Sequence, residues 1–355
     1  MKTETSYEDD EEKGERISLR RRFLNYRTLI SFAVALGLVF LLFERLDVNL
    51  GVTWLMIRNS DPLLYALAFM SHYLTFPVRA FRWKLLLQSA GYRTEQGVRL
   101  PSTWALTQVI VINWFANSIV YGRLGDAYRA YLLKDAADVS FSKTMGTVLA
   151  ERFLDIILIF LLLMAAIFGL LLTGGGGMTT AGIVLAVGSI MLVIIGIVLG
   201  GMGRFGHRLE RRLPGRLKPI YSLFEEGTLA SFNRLPLLGL LSVAIWLLEA
   251  ARLYLVIEAL SNATGFGVFD IGLPLILFAA LATALISAIP LTPGGLGLVE
   301  PGVAGLLMIG PIYRGVALSI VLLDRTISYL SVIIVGSLVF LFWHLVQARR
   351  GRGRT

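Results

Sequence analysis

Long apolar runs separated by short polar segments make up most of the chain. Runs of close to 20 apolar residues are typical of helices that cross the hydrocarbon core of a membrane. The pattern therefore predicts an all-α polytopic membrane protein with about six to eight transmembrane helices. The apolar runs lie at residues 28–43, 62–77, 100–121, 144–172, 181–201, 236–260, 271–289 and 303–312, and a last run ends at residue 344.

The composition agrees with a membrane-embedded chain. Of its 355 residues, 56% are hydrophobic and 16% are charged, and the mean hydropathy is +0.72. Soluble domains are about 45–50% apolar and about 25% charged. The lack of cysteine excludes disulfides and thiol chemistry, and no common hydrolase or nucleotide-binding motif occurs. We expect no cofactor and no metal site, because the histidines are far apart and are expected at interfaces or in loops: His72, His207 and His344.

Basic residues indicate which segments face the cytoplasm. A disordered arm, acidic and then basic, is predicted at residues 1–25, and the tail at 347–355 is also basic. Cytoplasmic loops carry an excess of Lys and Arg, so we expect both termini and the basic loop 204–235 inside a multi-pass protein of the cytoplasmic membrane. The same rule explains the net charge of +9. Nucleic-acid binding is not expected, because no soluble basic domain is present to carry it.

Counting crossings between the basic segments predicts two hairpins that enter and leave the membrane on one side. Segments 79–99 and 204–234 are both expected inside, so the run 100–121 must return to its own side. Residues 271–314 must likewise return to the outer side. Six full spans and two opposed re-entrant hairpins follow. Because residues 271–289 are long enough to cross, eight or nine spans stay open as alternatives.

Polar residues in or next to two of the apolar runs, 62–77 and 100–121, have expected structural roles. The run 100–121 is expected to break near its asparagines, Asn113 and Asn117. The apolar run 62–77 is followed by residues expected to anchor it at the inner interface. They are Arg79, Arg82, Trp83 and Lys84.

Two polar stretches, at residues 121–129 and 290–300, indicate an internal repeat. An acidic residue and an arginine follow each stretch at nearly equal distance. Asp126 precedes Glu151-Arg152 by 25 residues, and Glu300 precedes Asp324-Arg325 by 24. Inverted repeats with broken helices that meet near the midplane are the plan of many transporters. We therefore expect the two stretches to face each other.

The repeat divides a single transmembrane domain that covers residues 26–346. The first repeat is expected at about 60–201 and the second at about 236–346, joined by the basic loop 204–235.

Residue types in the two stretches and the helices that follow them suit phosphate recognition. Arginine binds phosphate bidentately, helix N-termini beside glycines offer N–H donors, and a Pro-Gly-Gly turn lets a ligand approach the backbone. Charges inside a span are costly without a function or a partner. Plain ion pairs, such as Glu249 with Arg252, and a proton relay of acids stay open as alternatives. The candidate substrate-binding residues are Arg123, Gly125, Asp126, Arg129, Glu151, Arg152, Asp155, Pro293, Gly294, Gly295, Gly297, Glu300, Asp324 and Arg325.

At these motifs the sequence resembles the flippase-like membrane region of the lysylphosphatidylglycerol synthase/flippase family. Residues 122–133 read G-x-x-G-D-x-x-R-x-x-x-L, residues 290–300 read PLTPGGLGLVE with one residue more between the prolines than the family pattern, and Glu151-Arg152 matches the acidic–Arg pair. The resemblance covers about residues 25–345. It implies a polytopic protein of inverted-repeat type that handles an anionic or aminoacylated lipid.

The family's synthases also carry a C-terminal soluble aminoacyl-transfer domain, which the 355 residues do not include. We therefore expect no enzyme activity and no lysyl transfer. The expected function is lipid translocation, with a phospholipid or polyprenyl-phosphate lipid and the bilayer as partners, in a monomer or an oligomer. The alternatives are a subunit or enzyme of polyprenyl-phosphate-linked saccharide metabolism and a membrane scaffold.

Overall fold

The computed structural model describes residues 50–93, 97–120, 122–172, 178–215, 217–265, 267–288, 291–310 and 312–352. The predicted arm at 1–25, the predicted first span at 28–43 and the last residues of the predicted tail lie outside these ranges. The helices of nine or more residues are α1 (Leu50–Arg58), α2 (Pro62–Ser89), α3 (Thr103–Ile119), α4 (Leu124–Ala137), α5 (Phe141–Leu172), α6 (Met178–Arg212), α7 (Lys218–Ala230), α8 (Leu235–Ala259), α9 (Leu273–Ala288), α10 (Val299–Leu307), α11 (Arg314–Arg325) and α12 (Val332–Arg352).

The prediction of an all-α polytopic membrane protein is confirmed. Four helical segments in the described part of the chain are long and apolar enough to cross a membrane, and α9 is a shorter apolar helix. Two of these segments join consecutive helices. The four are Phe141–Leu172, Gly188–Arg212, Lys218–Ala259 and Arg314–Val346.

Helices α2 and α8 form the centre of the bundle and pack along each other. The Ser71 hydroxyl of α2 donates to the Leu248 carbonyl of α8 over 2.8 Å. Two apolar clusters lie on either side of this pair. One surrounds Trp83 and involves mainly α2, α3 and α4, and the other surrounds Leu318 and involves mainly α8 to α11. Each half of the chain therefore has its own apolar core, with the α2–α8 pair between them.

The first half contains a helical hairpin whose break follows α3. The break predicted near Asn113 and Asn117 is absent there, because both residues lie inside an unbroken helix. The Asn117 amide donates to the Asn113 side-chain oxygen over 3.1 Å, and the Asn117 oxygen accepts from the Gly125 N–H over 2.8 Å. These hydrogen bonds satisfy the amides without a break. The chain turns instead at Arg123, whose φ of 53° is left-handed.

The second half contains a similar hairpin formed by α9 and α10, which pack against each other. The turn between them includes a short 3-10 segment, Pro293–Gly295. Three glycines of this turn have positive φ angles of 57°, 72° and 80°, and this region of backbone conformation favours glycine. They are Gly294, Gly295 and Gly297. In both hairpins the break therefore coincides with a polar stretch singled out in the sequence.

Two boundaries differ from the predictions. Helix α2 continues through Pro77 to Ser89, so the second apolar run does not end at the proline. The basic segment 204–235 is largely helical, because α6 extends to Arg212 and α7 covers Lys218–Ala230. Helix α7 packs along α5. The Lys143 ammonium donates to Glu226 over 2.7 Å across that contact.

The α5–α7 contact requires two glycines. A Cβ at Gly146 would lie 2.2 Å from the Phe224 carbonyl oxygen, and one at Gly227 would lie 2.1 Å from the Lys143 carbonyl oxygen. Both atoms belong to helix backbones, which cannot move aside as a side chain does. The two helices can therefore approach this closely only while both positions remain glycine.

Replacing Gly146 with alanine should separate α5 from α7 and lower the free energy of unfolding by about 1–3 kcal/mol. Denaturant unfolding of the purified protein in detergent measures the change. Gly239→Ala is the matched control, because nothing lies within 4 Å of a Cβ there. Equal stability of the two variants would contradict the close-packing argument.

The expected orientation can be tested with single cysteines, since the chain contains none. We expect Gly215→Cys to react with an impermeant maleimide only from the cytoplasmic side, and Asn262→Cys only from the outside, because one full crossing separates them. Both residues are exposed. Labelling of both positions from the same side would contradict the predicted topology.

Candidate functional site

A fully buried arginine on α2 links the helices of the first half. Arg82 is 0% exposed. Its guanidinium donates to Glu151 over 2.8 Å and to Asp155 over 2.5 Å, and it also donates to the Ser242 hydroxyl of α8. Glu151 accepts a further bond of 2.7 Å from Arg129 of α4. A buried charge is tolerated only when it is paired and hydrogen-bonded, and these partners meet that condition.

A corresponding arginine on α8 links the helices of the second half. Arg252 donates to Glu249 on its own helix over 3.2 Å and to the Asp324 carboxylate of α11. Glu249 also accepts from Arg79 of α2 over 3.0 Å. The ion pair between Glu249 and Arg252, left open as an alternative in the sequence analysis, is therefore present as part of a larger network. Its atoms nevertheless lie at a cavity that the two halves share.

The same ion pair occurs once in each half, at the helix that follows each break. Asp126 lies in the first turn of α4 and accepts from Arg152 over 2.8 Å. Glu300 lies in the first turn of α10 and accepts from Arg325 over 2.7 Å. The sequence spacing that indicated a repeat therefore corresponds to two equivalent contacts.

The two polar stretches lie close to each other. Arg123 donates to the Ser287 carbonyl at the end of α9 over 3.3 Å. The Tyr329 hydroxyl donates to the Ser118 carbonyl at the end of α3 over 3.0 Å, and Gly294 packs beside both of these residues. The expectation that the stretches face each other agrees with these contacts.

A cavity of about 170 Å³ lies where the two halves meet. Helices α2, α3, α5, α8 and α9 contribute to its lining, together with the breaks described above. Arg79 sits between two tryptophans of the lining, with its guanidinium carbon 4.8 Å from the Trp114 ring centroid and 5.3 Å from that of Trp246. The charged and titratable lining residues are His72, Arg79, Arg123, Arg152, Asp155, Glu249, Arg252, Arg325 and Tyr329.

The structure divides the candidate residues into two groups. Those at the cavity are Arg123, Arg152, Asp155, Gly294 and Arg325. The described lining does not include the others, which hold the lining in place. The remaining acids and Arg129 pair with arginines or carboxylates, and the Glu300 carboxylate also accepts from the Gly297 N–H over 2.6 Å. Gly125 packs against the Asn113 carbonyl, and Pro293 and Gly295 are buried in the turn.

Two predictions about α2 were wrong. Arg79, Arg82 and Trp83 do not anchor the helix at an interface, because all three are buried and the arginines are ion-paired. His72 is not in a loop or at an interface either: it is buried at the cavity, with Nδ1 3.5 Å from Glu249. Burial of paired polar groups is affordable inside the bundle, whereas an unpaired arginine would have to reach the interface.

A pattern in the sequence could have identified this face. His72, Thr75, Arg79 and Arg82 follow one another at intervals of three, four and three residues, so they share one side of a helix, and all four are buried. A polar stripe on an otherwise apolar helix indicates a side that faces other polar groups.

Replacing Arg82 with methionine should remove one of the two arginine partners of Glu151 and the ion-pair partner of Asp155, and so lower the free energy of unfolding by about 3–5 kcal/mol. Unfolding of the purified protein in detergent measures this loss. Arg204→Met, at an exposed position of α6, serves as the control and should change stability by less than about 0.5 kcal/mol. If both variants unfold alike, the buried network does not hold the helices together.

Comparison with known proteins assigns the chain to a family. The family described as the lysylphosphatidylglycerol synthase TM region matches residues 28–336, which confirms the resemblance noted in the sequence. A UPF0104 membrane protein of Methanocaldococcus jannaschii is 31% identical over 233 residues, which are 64% of this chain and 93% of that protein. Another, from Methanothermobacter thermautotrophicus, is 25% identical over an alignment of 304 residues that covers 79% of this chain and 85% of that protein.

The chain is also similar to a protein with a different name, the glycosyltransferase AglD of Haloferax volcanii. The two chains are 26% identical over an alignment of 332 residues, and the alignment covers 82% of this chain and 51% of AglD. This chain therefore spans about half the length of that glycosyltransferase.

Proposed function

The chain belongs to the family of the lysylphosphatidylglycerol synthase transmembrane region, and from this we propose that it is a lipid translocator that holds a phosphate-bearing headgroup in its central cavity. The lipid tails remain in the bilayer while the headgroup enters between the two halves. The protein acts in the cytoplasmic membrane, with both termini in the cytoplasm.

The charge of the cavity is the observation that supports this proposal most. Five guanidinium groups line it, against two carboxylates. Arginine is suited to bidentate contacts with phosphate oxygens. Apolar residues of α5 and α9 complete the walls, among them Ile156, Ala280 and Leu285. A positive site with apolar walls at the junction of two membrane-embedded halves suits an amphipathic anion.

The duplicated contacts suggest how transport proceeds. Each half supplies a broken hairpin, and an equivalent acid–arginine pair ties each hairpin to the next helix. In an inverted repeat, one half rocks against the other around a fixed site and opens it to each side in turn. Arg123 and Tyr329 make the contacts between the breaks, so these contacts are the ones that change when the halves move.

A role in polyprenyl-phosphate-linked saccharide metabolism is the second candidate. The similarity to the glycosyltransferase AglD favours it. Such a lipid also carries a phosphate next to its apolar chain, so the same cavity serves either role. Under this candidate, the purified chain changes the rate at which a glycosylated product forms.

Loss of one cavity arginine should slow lipid translocation. In proteoliposomes with a fluorescent phospholipid, we expect Arg325→Gln to reduce the rate about tenfold, because one of the five positive charges at the cavity is lost and the attraction for the headgroup phosphate weakens. Arg208→Gln removes the same charge from an exposed position of α6 and should leave the rate unchanged.

Size-exclusion profiles and melting temperatures establish that both variants are folded. A folded Arg325→Gln protein that translocates lipid at the wild-type rate would overturn the proposal. Translocation absent from the wild-type protein, with faster product formation by an added glycosyltransferase, would favour the second candidate instead.

A further inference from the structure

The arginines of the cavity differ in how much of each side chain is accessible. The side chains of Arg79 and Arg252 are each 4% exposed, and that of Arg325 is 10% exposed. The side chains of Arg152 and Arg123 are 31% and 27% exposed. A ligand in the cavity therefore meets the last two guanidinium groups first.

The three less accessible arginines are committed to partners within the protein. Arg79 is bonded to Glu249 and lies against two tryptophan rings. Arg252 is shared by Glu249 and Asp324. Arg325 donates to Glu300 and, over 3.0 Å, to the Gly294 carbonyl. Each has at least one carboxylate within hydrogen-bonding distance, so these groups need no further anion.

Arg123 and Arg152 share a single carboxylate. The Asp126 Oδ1 atom accepts from Arg152 over 2.8 Å and from the Asn113 amide over 2.9 Å, while Oδ2 lies 3.6 Å from Arg123 Nε. The remaining contact of Arg123 is to a neutral carbonyl, that of Ser287. Two positive charges therefore face one negative charge at this point of the cavity wall.

The charge count of the whole network gives the same excess. Across the part of the chain that the structure describes, seven guanidinium groups pair with six carboxylates, with histidine counted as neutral. The guanidinium groups belong to Arg79, Arg82, Arg123, Arg129, Arg152, Arg252 and Arg325, and the carboxylates to Asp126, Glu151, Asp155, Glu249, Glu300 and Asp324. An uncompensated charge in a membrane-embedded bundle is unfavourable, and one negative charge on a ligand compensates it.

We infer that Arg123 and Arg152 form a phosphoryl subsite for a group with a single negative charge, which is the charge of a phosphodiester. Asp126 positions both arginines and sets the charge that the subsite accepts. The inference rests on the proposed function only for the lipid that carries the diester. A phosphomonoester carries about −1.5 to −2 at pH 7 and exceeds the charge of the subsite. A headgroup whose phosphate is offset by an ammonium group falls short of it.

Soluble headgroup analogues test the charge preference without transport. The purified wild-type protein is titrated calorimetrically with glycerophosphoglycerol, a diester, with glycerol 3-phosphate, a monoester, and with the zwitterion glycerophosphocholine. We expect the diester to bind about tenfold more tightly than either of the others, because it alone leaves no unpaired charge. Equal affinities for the three compounds would overturn the inference, as would inorganic phosphate binding as tightly as the diester, since that result describes a site for free anions.

A charge change at the subsite should move the preference in a defined direction. Asp126→Asn keeps an oxygen that can accept from Arg152 but raises the positive excess from one charge to two. We expect this variant to bind glycerol 3-phosphate better than the diester, with the affinity ratio shifted about tenfold from wild type. Glu226→Gln adds the same charge at a side chain that is 56% exposed and should keep the wild-type ratio. An unchanged ratio in folded Asp126→Asn protein would contradict the role given to Asp126.

The subsite and the proposed function can fail separately. If the diester preference is present but proteoliposomes show no translocation, the subsite stands and the translocator does not. If translocation occurs and Arg152→Gln leaves diester affinity unchanged, the subsite is wrong and the translocator stands. The charge preference itself is measured on the wild-type protein with the ligand series. That result therefore does not depend on whether the Arg152→Gln variant folds.

Discussion

The burial of a charged guanidinium at the centre of the bundle is the constraint on which the rest of the structure depends. Arg82 has no contact with solvent, so it must find its partners on other helices. Those partners are the two carboxylates of α5 and a hydroxyl of α8, and one of the carboxylates in turn binds Arg129 of α4. Four helices are thereby held in one register. The Arg252 pairs impose the same restriction on the second half.

This network of buried ion pairs borders the cavity where the two halves meet. The lining combines five guanidinium groups and two tryptophan rings with smaller apolar and hydroxyl side chains. The acids of the two breaks, Asp126 and Glu300, stand behind the lining and orient Arg152 and Arg325. Oriented guanidinium groups with accessible N–H donors bind an anion at little further cost in conformational entropy, which is the condition for selective recognition of a headgroup. Under the proposed function, the less accessible arginines pair within the protein and the more accessible ones bind the headgroup.

Much of the candidate site could be predicted, because its residues follow local rules. Glycine and proline disrupt helices, and both breaks contain glycines. The spacing of acids and arginines in each half indicated a repeat, and the structure places one equivalent ion pair at that spacing in each half. Polar residues considered singly led to wrong predictions: arginines are often interfacial, but Arg79 and Arg82 are buried, and the asparagines of α3 are polar but do not break the helix. Their partners satisfy them inside continuous helices.

The sequence by itself determined the membrane class, the helical content, the family and the two polar stretches in which the hairpins turn, because hydrophobic runs and glycine conformations act over short distances along the chain. Only the tertiary structure decided which charges are paired. Arg82 meets Glu151 across 69 residues and Arg79 meets Glu249 across 170, and such partners are chosen by the packing of helices that no local pattern specifies. The same packing decides which arginines face the cavity. A guanidinium group is accessible where the neighbouring helices leave room, and its charge stays unbalanced where carboxylates are too few.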